Sequence, residues 1–469
     1  MFSSFSAPSA CGRGAARLAA VTLVSGLAVT AATVMAVPAA AGTGTVQSGG
    51  GAAATISGLK TYGAAVVHAH EGDLEISAGL FEMSVEGGGT LQTYCVDIHN
   101  PTQRDAKYHE TAWSGTSLGA NDDSGRIRWI LQHSYPQVND LAALARQAGI
   151  RGGLSEQDAA AGTQVAIWRY SDGVDVEAVD PEAEKLADHL EDSARGVAEP
   201  EASLTLDPPV LSGRPGERLG PVTVRTNAGS VTVAPPAEAA AAGVRIVDKD
   251  GEDVTTAKDG SRLFIDVPED TPDGSAELTV QASTTVPVGR AFASETRSQT
   301  QILAGSSEST VSATVSASWA EKGAIPALSA QENCAEGGVD ITAVNQGDED
   351  FVFELMGAEH TIRAGETRTV TVPLQEDQAY DFTITGPGGY EKRFTGVLDC
   401  HTQAGEADEA GTSTQTLSEP SPATAGSTTA DANLAATGGS DATPLIAGAA
   451  IGLVVLGGAA LIVVRRKKP

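Results

Sequence analysis

The cysteines are the first feature of this chain that could carry chemistry, and there are four of them: Cys11, Cys95, Cys334 and Cys400. Cys11 lies in a predicted signal peptide, so the exported chain keeps three. An odd number of cysteines outside the cell indicates an intermolecular bond, a free reactive thiol or less usual chemistry. Because Cys334 and Cys400 stand at the two ends of one predicted β module, we expect a disulfide between them. Cys95 is then left over.

Two short segments surround candidate reactive groups. Residues 91–97 read Leu-Gln-Thr-Tyr-Cys-Val-Asp and predict a strand that carries Cys95 directly after an aromatic side chain. Residues 163–168 read Thr-Gln-Val-Ala-Ile-Trp and lie in a predicted helix. A thiolate is the strongest side-chain nucleophile, and Gln164 offers an amide. Taken singly, Cys95 also fits an ordinary buried thiol and Gln164 an ordinary surface amide.

Together the two segments resemble the Tyr-Cys and Thr-Gln-x-Ala elements of bacterial thioester domains, which are heads of Gram-positive surface proteins. Residues 108–113 are similar to the Tyr-x-Glu-x-x-Trp segment of the same family. The resemblance covers residues 56–197 and implies a mixed α+β head. It further implies that the Cys95 sulfur attacks the Gln164 side-chain amide, expels ammonia and forms an internal thioester.

Several neighbours of the pair are candidates for supporting this chemistry. Gln164 and Trp168 are four residues apart, so one helix face would carry both the acyl group and a bulky apolar cover that excludes water. By proximity or by motif, the supporting candidates are Tyr94, Asp97, Glu110, Thr163 and Trp168. A structural role is an alternative for each of them.

The elements that must position these residues follow from local patterns. An alternating run at 78–85, a triple-glycine turn and a second run at 90–98 predict a β-hairpin. Helices are predicted at 126–132, 140–147, 155–170 and 181–194, with Ser155 as an N-cap.

Beyond residue 200 the pattern changes to short alternating strands rich in Val, Thr, Gly and Pro. It predicts two all-β immunoglobulin-like sandwich modules, at 201–320 and 330–401, the first of them antiparallel. Residues 402–433 consist of small and polar residues that cannot bury a core, so they predict a disordered spacer.

Both ends of the chain carry targeting signals. Residues 1–41 have the basic, apolar and small-residue regions of a cleaved signal peptide, with an uncleaved anchor as the alternative. Residues 434–469 combine a pentapeptide, an apolar run of spanning length at 445–464 and a basic tail. They resemble a sortase cell-wall sorting signal of the Leu-Ala-x-Thr-Gly form, with a simple membrane anchor as the alternative. The pentapeptide is Leu434, Ala435, Ala436, Thr437 and Gly438.

Charge narrows the set of partners. Removing the two signal arginines, the four basic tail residues and Asp441 reduces the whole-chain counts of 30 basic and 60 acidic residues to 24 and 59, a net charge of −35. Such acidity argues against nucleic acid or anionic lipid as partners. A histidine pair at 68 and 70 fits a surface turn better than a metal site, so no metal or cofactor is predicted.

These observations predict a wall-anchored adhesin that bonds covalently to an amine-bearing surface or matrix target, with sortase and peptidoglycan as further partners. Each molecule would react once, so the protein is not expected to be an enzyme. The alternatives are a passive structural or carbohydrate-binding surface protein and a cysteine hydrolase head. His99 and His109 keep the latter open, although no Cys-His-Asn arrangement is evident.

Overall fold

The computed structural model describes residues 49–69 and 72–402. The predicted signal peptide, the sorting signal and all of the predicted spacer after Thr402 lie outside these residues. Within the described part of the chain, no helix is both long and apolar enough to span a membrane. The apolar segment predicted to do so lies outside it.

The head combines strands with four helices. The strands are β1 (Ala53–Ala69), β2 (Gly72–Val85), β3 (Thr90–Cys95), β4 (Lys107–Thr111) and β5 (Val176–Ala178). The helices are α1 (Ser124–His133), α2 (Leu141–Gln147), α3 (Glu156–Ser171) and α4 (Pro181–Ser193). The predicted hairpin is present, since β2 pairs antiparallel with β3.

Helix α3 is the element that carries Gln164, and its local sequence explains its position. Ser155 and Asp158 form a capping box at its start, which satisfies two of the free backbone donors there and confirms the predicted N-cap. Gly162 lies at the contact with α4, where a Cβ would stand 2.4 Å from the Ala183 carbonyl oxygen. Any larger residue would therefore push the two helices apart.

The head sheet closes on itself and takes two strands from far along the chain. Its order is β2-β3-β15-β14-β4-β1-β5, and β1 also pairs with β2, so six strands form a closed barrel. The two distant strands are β14 (Ala291–Ser294) and β15 (Gln301–Ser306). The structure thus differs from the predicted boundaries, because residues 291–306 belong to the head sheet and not to the module predicted at 201–320.

The second module consists of two facing sheets. One has the order β10-β12-β8-β6 and the other β11-β9-β13-β16-β7. The prediction of an antiparallel sandwich is wrong at one place, because β7 and β16 pair parallel. The bounds are β6 (Leu204–Asp207), β7 (Val210–Gly213), β8 (Arg218–Thr226), β9 (Val231–Ala234), α5 (Ala237–Ala241), β10 (Arg245–Val247), β11 (Thr256–Ala257), β12 (Arg262–Asp266), β13 (Gly274–Thr285) and β16 (Glu308–Trp319).

The C-terminal module is built from three small sheets. They are β17-β18-β21, β19-β20 and β22-β23. The strands are β17 (Pro326–Asn333), β18 (Gly338–Asn345), β19 (Phe351–Leu355), β20 (Ala358–Ile362), β21 (Glu366–Pro373), β22 (Ala379–Thr385) and β23 (Glu391–Val397). The described chain is therefore mostly β, with its longer helices confined to the head.

The apolar cores show which parts fold together. One continuous cluster of buried side chains extends from the head through the second module. The C-terminal module has a separate core around Phe351, Phe394 and Ile341. Because apolar burial is the main stabilising contribution to folding, we expect the head and the second module to unfold as one cooperative unit. The C-terminal module packs against this unit with its own core.

Cys334 and Cys400 form the predicted disulfide, with 66 residues of sequence separation. Replacing both cysteines with alanine should lower the free energy of unfolding of the C-terminal module by about 2–5 kcal/mol, because the open chain regains loop entropy in the unfolded state. Denaturant titration of the double variant measures the loss. An unchanged midpoint would contradict a stabilising role for this bond.

Candidate functional site

Cys95 is the last residue of β3 and is enclosed by protein. Its direct neighbour across the sheet is Gln301 of β15, and only 2% of its surface is exposed. Among the described cysteines it is the one outside a disulfide. The unpaired thiol expected from the odd cysteine count is therefore a buried group at the end of the barrel.

The side-chain amide of Gln164 lies against the backbone of Cys95. Its Oε1 accepts a hydrogen bond of 3.1 Å from the Cys95 N–H, and its Nε2 donates one of 2.9 Å to the Cys95 carbonyl. Gln164 is 0% exposed. The predicted pair, which is 69 residues apart in sequence, thus meets in the structure.

This double hydrogen bond has a chemical consequence. An N–H group on the amide oxygen polarises the carbonyl and stands where negative charge would develop if sulfur added to the carbon. The amide nitrogen, which would leave as ammonia, is held at the same time by the Cys95 carbonyl. The amide is therefore oriented by the residue that would attack it.

Trp168 supplies a donor to the sulfur and also covers the pair. Its Nε1–H donates a hydrogen bond of 3.0 Å to Cys95 Sγ, and the side chain is buried. Trp168 and Gln164 occupy one face of α3, as their spacing predicts. The indole therefore excludes water from the pair and stabilises negative charge on sulfur.

The thiol is held in its protonated form. Burial raises the pKa of Cys95 well above its ordinary value, and the nearby carboxylate of Asp172 raises this pKa further. The hydrogen bond from Trp168 and the backbone N–H of Asp97 act in the opposite direction. Cysteine enzymes that turn over repeatedly lower the thiol pKa, so this environment does not favour the hydrolase alternative.

The two histidines considered for a hydrolase head also fail to support it. Burial lowers the pKa of His109 to about 4 and lowers the pKa of His99. The His109 Nε2 has no hydrogen-bond partner in the described chain. The hydrogen bonds that Cys95 makes within the described residues are to Gln164, Trp168 and the backbone, and neither imidazole is among them.

Of the supporting candidates, four lie around the pair. Trp168 contacts the sulfur, and Asp97 follows two residues after Cys95, where burial raises its pKa to about 6. The Tyr94 hydroxyl donates to the Tyr135 carbonyl and also interacts with the hydroxyl of Thr163, which joins β3 to α3. Tyr94 and Thr163 thus fix the two elements that carry the reacting groups.

The fifth candidate, Glu110, lies elsewhere. It is three strands across the barrel from Cys95, and its carboxylate accepts hydrogen bonds from Ala52, Ser203 and Arg290. Its side chain is 0% exposed and that of Arg290 is 6% exposed. The expectation that Glu110 assists the thiol directly is therefore not supported by its position, because its contacts join the head to the hairpin β14–β15.

The whole segment 108–113 holds that hairpin. The Tyr108 hydroxyl contacts Ser298 and the carbonyl of Gln299, and the indole N–H of Trp113 donates to the carbonyl of Gly289. Together with the Glu110 pair, these contacts position β14–β15, and β15 forms the wall beside Cys95. The segment thus affects the surroundings of the Cys95 thiol by positioning the hairpin β14–β15.

Sequence reasoning missed two residues next to Cys95. Asp172 is the C-cap of α3, four residues after Trp168, so an extension of the helical spacing points to it. Its pKa is raised well above the ordinary value, chiefly by burial. Gln301 had no sequence signal, since no strand was predicted at residues 301–306 and these residues were assigned to the module at 201–320. Its Oε1 accepts from Thr93, and its buried Nε2 has no partner among the described residues.

One acidic group has the spacing of a metal site within the described residues. It consists of Glu376, Asp377 and Asp399. Asp377 is paired with Arg297, and Asp399 accepts a hydrogen bond from Thr300. The carboxylates are therefore already bound to protein groups, and we assign no metal to them.

Comparisons with known families agree with two parts of this description. Residues 92–196 match the model of the thioester domain family, and residues 324–397 match that of the bacterial phospholipase C C-terminal domain. The first match covers α3 and the end of β3, and so includes both Cys95 and Gln164. No curated protein matches the chain.

Solved structures are similar at low levels of identity. The Bacillus anthracis TIE protein is 17% identical with a TM-score of 0.27, over 74% of this chain and 64% of that one. The thioester domain of the Enterococcus faecium TIE86 protein is 19% identical with a TM-score of 0.26, over 58% and 97%. The E. coli chaperone DraB is 14% identical with a TM-score of 0.15, over 42% and 97%. The chain thus spans less than two thirds of the first of these proteins.

Proposed function

We propose that this protein is a surface adhesin whose head attaches covalently to a target through a thioester between Cys95 and Gln164. The observation that supports this proposal most is the contact between the two residues, in which the Gln164 amide is held by the Cys95 backbone and the sulfur by Trp168. The family match over residues 92–196 supports the same chemistry.

The reaction proceeds in two steps that balance. In the first, Cys95 Sγ bonds to the Gln164 side-chain carbonyl carbon, the carbon–nitrogen bond breaks, and the thiol proton leaves with the nitrogen as ammonia. In the second, a target amine bonds to the same carbon, the carbon–sulfur bond breaks, and the amine proton returns to sulfur. The product is an amide, which is more stable than the thioester, so each molecule reacts once and is not a turnover catalyst.

The remaining parts of the chain fit display at the cell surface. The signal peptide at 1–41 would export it, and cleavage between Thr437 and Gly438 by a sortase would join Thr437 to peptidoglycan. The spacer at 402–433 would then separate the folded modules from the wall. The target is an amine on a surface or in a matrix, most simply a lysine side chain.

Intact mass of the folded protein tests the proposal. The wild-type chain should be lighter than its sequence by one ammonia beyond the loss from its disulfide, because thioester formation expels that molecule. Cys95→Ala should show no such mass deficit. Recovery of the linked Cys334–Cys400 peptide from this variant would show that it has folded. Full sequence mass in fresh, amine-free wild-type protein would favour the passive surface protein instead.

A further inference from the structure

The C-terminal module meets the head at the site of Cys95. The Val96 N–H, next to Cys95, donates to the carbonyl of Thr300. The hydroxyl of that same threonine donates a hydrogen bond of 3.0 Å to Asp399, in the segment that follows β23. Thr300, which directly precedes β15, therefore contacts both the end of the strand that carries Cys95 and the C-terminal module.

Three more contacts surround this one. The Thr402 hydroxyl donates to the carbonyl of Ser171 at the end of α3, the helix that carries Gln164. Arg297 forms an ion pair with Asp377. The backbone N–H of Cys334 donates to the carbonyl of Ser114. These contacts come from both ends of the disulfide-linked module and from the loop before β22.

The burial of the reacting pair gives these contacts a consequence. Cys95 and Gln164 are 2% and 0% exposed, so a target amine has no route to the carbonyl carbon in this arrangement. Some part of the enclosure must move before the second step of the proposed reaction. Helix α3 and β3 carry the reacting groups and share the main core, whereas the C-terminal module has a core of its own.

We propose that the C-terminal module is a cap on the thioester site, which shields the bond when it is docked and admits the target nucleophile when it lifts. This inference rests on the proposed function. It assigns to Asp399 and Arg297 a role in controlling access.

The charges at the contact make docking dependent on pH. Asp97 and Asp172 of the head face Asp399 of the cap, and Glu376 and Asp377 lie close to them. Burial raises the pKa of Asp399 to about 7 and that of Asp97 to about 6. Like charges this close repel one another, so the docked cap favours the protonated acids.

The other titratable groups at this contact do not reverse the effect. Arg297 neutralises Asp377, and burial lowers the pKa of His99, so its ring carries little charge at neutral pH. Burial raises the pKa of Tyr108, so its hydroxyl stays uncharged, and Cys95 has no titratable thiol once the proposed thioester has formed. Because the docked state binds more protons than the lifted state, docking is strongest at acid pH and weakens from about pH 4, the ordinary carboxyl value, to about pH 7.

Reaction with hydroxylamine tests the cap in the full-length protein. It opens thioesters and keeps a usable free-base fraction at mildly acid pH, and intact mass reports its addition. Asp399→Asn keeps an acceptor for Thr300 but removes the charge, so the variant should react more slowly than wild type at pH 8. The ratio of wild-type to variant rate should rise at least about tenfold between pH 5 and pH 8, since each unit of pKa shift corresponds to a factor of about ten.

A second variant and a matched control complete the experiment. Arg297→Ala removes the ion pair to Asp377 and should speed the reaction several-fold at both pH values. Arg393→Ala removes an exposed ion pair to Asp381 on β22 and should leave the rate unchanged. If Asp399→Asn and Arg297→Ala both react at the wild-type rate at every pH, the cap is refuted. A wild-type protein that lacks the ammonia deficit refutes the proposed function instead.

Discussion

Gln164→Glu should abolish covalent capture of amines, with a fall in methylamine incorporation of at least about 1,000-fold, as expected when an essential reacting group is removed. In the proposed reaction sulfur displaces ammonia from the Gln164 amide, and a carboxylate at this position would offer no comparable leaving group. The new oxygen would also face the Cys95 carbonyl, which now accepts a hydrogen bond from the amide nitrogen. Intact mass after exposure to methylamine at neutral pH measures the effect.

Gln157→Glu is the matched control, because it makes the same change on an exposed position of the same helix. It should form the thioester and add methylamine like the wild type. Recovery of the linked Cys334–Cys400 peptide from both variants shows that the chain has folded. An amine adduct of normal yield in Gln164→Glu would identify another residue as the acyl donor.

Arg290→Ala should be among the most destabilising single substitutions in the head, with a loss of about 3–5 kcal/mol in the free energy of unfolding. The Glu110 carboxylate is fully buried and its ionic partner is Arg290. Removing the guanidinium leaves a buried carboxylate without that charge, which costs much more than the pair contributes when intact. Denaturant unfolding gives the magnitude.

Two further variants identify the cause. Arg245→Ala breaks two ion pairs of a surface arginine on the second module, to Asp253 and Asp266, and should cost no more than about 1 kcal/mol. Combining Glu110→Gln with Arg290→Met removes both charges and should recover part of the stability lost in Arg290→Ala. Equal losses in the free energy of unfolding for Arg290→Ala and Arg245→Ala would show that burial of the Glu110–Arg290 pair does not increase the cost of breaking it.

Cys95 and Gln164 could be proposed from sequence because the segments around them resemble the Tyr-Cys and Thr-Gln-x-Ala elements of thioester domains. The helical spacing of Gln164 and Trp168 then predicted an apolar cover over the amide. Ser155 and Asp158 form the capping box at the start of that helix. The disulfide was predicted because Cys334 and Cys400 stand at the two ends of one predicted module. The helix start could be predicted because the interactions that form it lie within a few residues of one another. The disulfide could be predicted because cysteine is rare in this chain, which leaves few possible pairs.

The sequence alone thus determined which side chains could react and which elements carry them. Only the tertiary structure decided what surrounds them, because strand pairing over long sequence distances leaves no local pattern. The strand β15 joins the barrel although its residues lie near the end of another predicted module, and Gln301 thereby becomes the neighbour of Cys95. Glu110 looked like a partner for the thiol, but the fold pairs it with Arg290, 180 residues away. The docking of Asp399 beside the site likewise depends on the packing of separate cores, which periodicity within one segment cannot encode.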